Sequence, residues 1–137
     1  MLFQCSPFHA FHLWHWVEPG INRTLSKTRD EFTAKDVYWY LRDSRATLFL
    51  ILDEGEFRGF IVVEVTTHVV TGARALGVWL MYFIGAGKVR EELDARIKWI
   101  AKRANCSAVE FKSPRLGWKE AERHGYKMKM ITWRCEL

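Results

Sequence analysis

Little in this chain is available for covalent or metal cross-linking. Its three cysteines, Cys5, Cys106 and Cys135, are odd in number, far apart and without a Cys-x-x-Cys, which argues against a disulfide framework and a zinc knuckle. That usage fits a reducing compartment, so the cytoplasm is the expected location. No apolar run approaches the ~20 residues of a membrane helix. Met1 is followed by neither a basic stretch nor a small-residue cleavage site, and no signal peptide or membrane span is expected. His9, His12 and His15 spread over about 120° of a helix surface instead of stacking at i, i+4. With no carboxylate near them before Glu18, no metal site is expected. Ser, His and Asp fall in no nucleophile-elbow setting and Cys106 opens no thiol-enzyme signature, so no hydrolase chemistry is assigned.

What the sequence has in quantity is apolar and aromatic surface. Hydrophobic residues make up 49% and charged residues 27% of it, the balance of a globular protein, and 137 residues suit a single domain over 1–137. Seven tryptophans and nine phenylalanines are rich for this length, and some are expected to face a partner. The net charge of +5 is uneven: residues 88–137 carry 13 basic and 7 acidic side chains, residues 1–87 carry 8 and 9. A basic half attracts a phosphorylated cofactor, nucleic acid or an acidic protein surface. Lys98, Lys102, Arg103, Lys112, Arg115, Lys119, Arg123, Lys127 and Lys129 interleave with Trp99, Trp118 and Tyr126 as a nucleic-acid surface would. Their scatter over several faces favours solubilising charge instead.

Local patterns predict the elements. Leu2 to Cys5 reads as a short strand, and Ser6-Pro7 as the cap and first turn of a helix to about Val17 that Pro19-Gly20 closes. Residues 21–32 read as a polar connection. Thr33 caps a second helix to about Ser44, with Asp36 at the capping-box position and Val37, Tyr38, Leu41 and Arg45 on one side. Thr47 to Leu52 and Phe57 to Val70 form a hairpin across Asp53-Glu54-Gly55-Glu56. A third strand, Ala73 to Ile84, follows the Thr71-Gly72 turn and is apolar on both faces, with Leu76, Val78, Leu80 and Tyr82 against Trp79, Met81 and Phe83. It is expected to be central, with a bulge or close approach at Gly77. Val89, Leu93, Ile97, Ile100, Ala101 and Ala104 recur at helical spacing from Lys88 onward. Ser107 to Lys112 is a short strand, Pro114 to His124 a helix with Gly125 as its C-cap, and Tyr126 to Glu136 one or two further strands with a break near Met130 or Ile131.

The most informative junction is Ile84-Gly85-Ala86-Gly87-Lys88, where an apolar strand meets the start of an amphipathic helix. Unpaired N–H groups at such a start favour an anion. This turn and the segment Ala121-Glu122-Arg123-His124-Gly125-Tyr126, within the order of elements above, resemble the GNAT-fold N-acetyltransferase superfamily. The resemblance covers nearly the whole chain, and small members of this kind are similar to GNAT-like proteins of tailed phages.

The resemblance implies an α+β fold, an α/β/α sandwich around a mixed, mostly antiparallel sheet of six or seven strands with about four helices. It implies acetyl-CoA as cofactor, with its pyrophosphate on Gly85, Ala86, Gly87, Lys88 and Val89 and its arm along the backbone of Trp79, Leu80 and Met81. It also implies an amine acceptor. The chain departs from the family pattern in three places: the loop is short, Ala121 stands where the family often has a tyrosine acid, and no carboxylate lies in Ala73 to Ile84. Glu64, on the neighbouring strand, is the substitute base, with an outward or paired surface carboxylate as its other reading. Two functions follow: an acetyl-CoA-dependent N-acetyltransferase acting on an amine, or a non-catalytic structural or assembly protein of a phage virion or its morphogenesis, binding protein through its aromatics. In the second case the location is the host cytoplasm or the virion.

Overall fold

The computed structural model describes residues 2–28, 31–85, 88–113, 119–130 and 132–137. Chain order is β1 (Leu2–Cys5), α1 (Pro7–Thr28), α2 (Ala34–Arg42), β2 (Thr47–Asp53), β3 (Glu56–Thr67), β4 (Arg74–Phe83), α3 (Lys88–Arg103), β5 (Ala108–Phe111) and α4 (Lys119–Arg123). The strands form one sheet in the order β1-β2-β3-β4-β5, antiparallel except for the β4–β5 pair. The result is an α+β fold with five strands among the described residues instead of the six or seven expected. No strand forms in 126–130 or 132–137, and the expected break at Ile131 lies outside the described residues.

Helices cover both faces of the sheet. Ala10, Val17 and Ile21 of α1 and Val37 and Leu41 of α2 pack with Leu48, Leu50, Phe60, Val62 and Leu80 on one side. On the other, Leu93, Ile97 and Ala101 of α3 pack with Phe49, Ile51, Ile61, Val63, Leu76 and Val78. The alternation of β2 and β3, with successive side chains pointing to opposite faces, generates this division directly.

Helix α1 does not stop at Pro19-Gly20, as the sequence suggested, but runs through both to Thr28. The buried stripe of Ala10, Leu13, Val17, Ile21 and Leu25 keeps helical spacing across the proline, and packing outweighs the local breaker. His15 and Pro19 are exposed, so water can satisfy the His15 carbonyl that a proline nitrogen leaves without a donor. Gly20 is needed for contact: a Cβ there would come within 2.6 Å of the Phe60 ring and 2.8 Å of the Tyr82 ring. The capping box of α2 forms as read, with Thr33 N–H donating to Asp36 Oδ2 at 2.8 Å and Asp36 N–H donating to Thr33 Oγ1 at 3.4 Å.

Two irregularities shape the sheet. Between the Ile51–Gly59 and Leu52–Phe57 pairs of β2 and β3 the register slips, leaving Arg58 as the extra residue. Gly59 follows at φ 154°, where a Cβ would sit 2.0 Å from the Tyr82 carbonyl oxygen, so only glycine fits. The second slip lies between Val62–Leu80 and Val63–Val78, so the extra residue is Trp79. Gly77, the expected bulge, is in plain register opposite Glu64. The Trp79 bulge also divides the apolar row read as one face: Leu76 and Val78 face α3, whereas Leu80 and Tyr82 face α1 and α2.

Candidate functional site at the open end of β4

β4 lies next to β3, the middle strand, and β5 accompanies it only from Ala75 to Val78. From Trp79 to Phe83 no strand of the described residues pairs with its other edge. The expectation of a strand buried on both faces therefore holds for the first half alone. Beyond it Met81 is 41% exposed and Tyr82 and Phe83 are half-buried.

The hydrogen-bond pattern shows which backbone groups this leaves available. Ile84 N–H donates to Arg58 O at 2.7 Å, which directs the polar groups of Ile84 toward β3. In an antiparallel ladder the direction alternates, so Tyr82 and Leu80 also turn toward β3, and Phe83 and Met81 turn away from it. Of the three strand residues expected to meet a ligand arm, Met81 thus has its peptide groups on the open edge, and Leu80 is engaged with β3. Trp79 is the bulged residue, its ring packed 5.0 Å from Phe32 and 5.2 Å from Tyr40.

The strand then leads to Gly85, at φ 144°, and α3 begins at Lys88. Ala86 and Gly87, expected to hold phosphate, lie outside the described residues. Val89 is half-buried at the entrance of α3. Arg90 is committed: its Nη1 donates to both carboxylate oxygens of Glu120, at 2.7 and 2.6 Å, tying α4 to the first turn of α3. That hydrogen bond, reinforced by the charge of Arg90, holds the Glu120 carboxyl below its ordinary value.

Glu64 lies half-buried on the same sheet face as Val62, opposite Gly77. With no side chain on its cross-strand neighbour, it lies over the strand: a Cβ on Gly77 would meet Glu64 Cγ at 3.5 Å and Oε1 at 3.9 Å. No hydrogen bond or ion pair engages its carboxylate among the described residues. It shares that face with Trp79, Phe32 and Tyr40.

A polar cluster that sequence reading missed closes the far side of α3. Asp94 accepts from Tyr126 Oη at 3.0 Å and pairs with Lys98 at 2.8 Å and with His124 at 3.6 Å. Lys98 also donates to the His124 carbonyl, and the Tyr126 ring packs on Phe111 at 5.0 Å. Burial, then the adjacent Asp94 charge and hydrogen bond, raise the Tyr126 pKa, so this phenol holds its proton instead of donating it. The i, i+4 spacing of Asp94 and Lys98 was the only available signal. Gly125 N–H donates to Glu122 O at 3.0 Å and Tyr126 N–H to Ala121 O at 3.1 Å, ending α4 as the sequence suggested. The helix start at Pro114, with Arg115 and Trp118, lies outside the described residues.

Much of the basic surplus is used internally. Lys129 pairs with Glu110, Arg134 with Glu31 and Glu136, and Arg103 sits over Trp99 at 5.3 Å. With Tyr126 half-buried and bonded to Asp94, its ring is not free to stack on a base.

No protein-family model matches the sequence, and no curated protein sequence matches it. Solved structures do match. The ribosomal-protein-alanine N-acetyltransferase from Brucella melitensis biovar Abortus 2308 superposes with a TM-score of 0.70 at 17% identity, covering 100% of this chain and 99% of that one. The fold is that of the GNAT N-acetyltransferases. An aminoglycoside N-acetyltransferase, AAC(6')-Iy, in complex with CoA superposes on the same GNAT-like fold with a TM-score of 0.69 at 15% identity, covering 100% and 95% of the two chains. An integron cassette protein from the mobile metagenome of V. cholerae gives 0.68 at 12% identity, over 99% and 91%. Identity this low shows shared architecture alone. Among the described residues no cluster of His, Cys, Asp and Glu could hold a metal, and no helix is long and apolar enough to cross a membrane.

Proposed function

We propose that this chain is an N-acetyltransferase that uses acetyl-CoA to acylate an amine. The observation that carries the reading is β4 outrunning β5: a strand edge whose Met81 and Phe83 peptide groups pair with no strand among the described residues leads through Gly85 to the N-terminus of α3. Such an edge accepts an extended amide-bearing arm as an added strand, and the helix start favours phosphate. The neighbour bound to CoA has the same fold.

Acetyl-CoA supplies an activated acetyl thioester. The chain would contribute Met81 N–H and C=O to align the arm, and Gly85, Ala86, Gly87, Lys88 and Val89 to meet the phosphates. Glu64 is the proton acceptor, its unpaired carboxylate freeing the lone pair of an incoming ammonium for attack. With alanine at 121 and the Tyr126 hydroxyl bound to Asp94, neither position would offer an acid to the thiolate of a bound acetyl-CoA, and solvent would have to supply that proton. Positioning therefore carries most of the catalysis, and turnover is slow.

Calorimetric titration with acetyl-CoA, wild type against Gly87→Asp, tests this. A saturable heat lost in the variant is expected, with free CoA thiol appearing when amines are added. No heat up to millimolar acetyl-CoA would falsify the proposal.

The second reading, a non-catalytic assembly protein of the phage virion or morphogenesis type, is favoured by one observation. Phe8, Phe11, Trp16 and Trp39 are between 41% and 69% exposed, more aromatic surface than catalysis at β4 requires. A stable complex recovered from the native source, in a protein that binds no acetyl-CoA, would select it.

A further inference from the structure

The groove between α1 and α2 carries chemistry that the open end of β4 does not use. Phe11, Trp14, Glu18 and Asn22 follow one another at three- and four-residue steps along α1 and face Lys35 and Tyr38 of α2 across a cleft of about 490 Å³. Tyr38 stands edge-on to Trp14 at 5.3 Å and 69°, and is tilted to Phe11 at 6.5 Å and 55°. The rings meet edge-on or tilted instead of stacking flat, and Phe11, Trp14 and Tyr38 all line the cleft. The Trp14 indole N–H donates to Glu18 Oε2, which fixes the carboxylate beside the rings and leaves its other oxygen unengaged.

We propose that this cleft binds an organic ammonium group. Ring faces carry negative electrostatic potential and attract a cation that has shed part of its water, and alkylated ammonium ions shed it most easily. A carboxylate among the rings adds a full charge of the right sign. A purely apolar guest would leave Glu18 facing it unpaired, at a desolvation cost. An anion would meet that charge directly. Lys35, on the α2 rim, is exposed and can carry its ammonium away from the cleft on its flexible stem. The site is independent of acetyl transfer, since a quaternary ammonium has no lone pair to acylate.

The test uses the ¹⁵N-labelled full chain, following the Trp14 indole N–H resonance, assigned by its disappearance in Trp14→Phe. Choline is the probe and 3,3-dimethylbutanol its neutral isostere. A saturable shift with choline and none with the alcohol is expected. Glu18→Gln and Tyr38→Leu should each weaken choline by about tenfold. Glu18 is solvent-exposed, so its amide variant keeps the fold, as circular dichroism will verify. Equal binding of choline and the alcohol, or of choline by wild type and Glu18→Gln, overturns the proposal, as does the absence of any saturable shift up to tens of millimolar choline. Gly87→Asp should leave choline binding intact, which separates this site from the acetyl-CoA reading.

Discussion

Where α1 and α2 cover the sheet, Val17, Ile21, Val37, Leu48, Phe60 and Val62 are sealed from solvent and held by apolar contact alone. Where α3 meets the C-terminal turn, the joint is made instead by Asp94, Lys98, His124 and Tyr126, and by the Arg90–Glu120 pair. The first region is close-packed and intolerant of volume change; the second depends on charge state and leaves the neighbouring strand edge open. α3 itself is anchored on the sheet by Leu93, Ile97 and Ala101, and the polar ties add the C-terminal turn and α4 to its other side.

The contrast can be broken most severely from the packed side. Phe60→Ala removes a fully buried ring and should cost about 3–5 kcal/mol in urea unfolding, because neighbouring groups collapse only partly into the space. Next comes the open side: Glu64→Gln should lower the proposed acetyl transfer by about 100-fold with little change in stability. An unchanged rate would assign Glu64 to the surface. Smaller still, Tyr126→Phe should cost about 1 kcal/mol near neutral pH. Because the folded-state pKa of Tyr126 lies above its ordinary value of 10.0, its contribution is complete below that value and declines as pH rises beyond it. Wild type should therefore lose stability above pH 10 by more than the variant does, as thermal melts would show. Arg90→Gln should have the smallest effect. The lowered Glu120 pKa makes its contribution present above the ordinary carboxyl value of 4.5 and lost as pH falls through the folded one, so wild type and variant melts should converge in acid.

The parts legible in the sequence were those decided locally. Thr33 and Asp36 announced their helix start, Asp53-Glu54-Gly55-Glu56 and Thr71-Gly72 their turns, and Leu93, Ile97 and Ala101 the buried stripe of α3. What stayed hidden depends on partners distant in the chain. Pro19 looked like a terminator because the burial of Ile21 against the sheet is not written near it. The bulges at Arg58 and Trp79 are properties of strand pairs, and Gly77 attracted attention that belonged to Gly59, whose neighbour is a Tyr82 carbonyl. The site was legible as a glycine turn before a helix. Its defining feature, β5 ending four pairs along β4, was not, since no residue of β4 records where its neighbour stops.

The extra residue at Trp79 has a consequence for how the chain tolerates length changes. Substituting the indole removes its contacts with Phe32 and Tyr40 and no more. Deleting the position would restore an uninterrupted ladder, with Val63 still opposite Val78 and Val62 opposite Leu80, so that Leu80 to Phe83 keep the faces they hold now. The peptide groups of Met81 and Phe83 would stay on the open edge. A one-codon loss here should thus cost little more than removal of the indole.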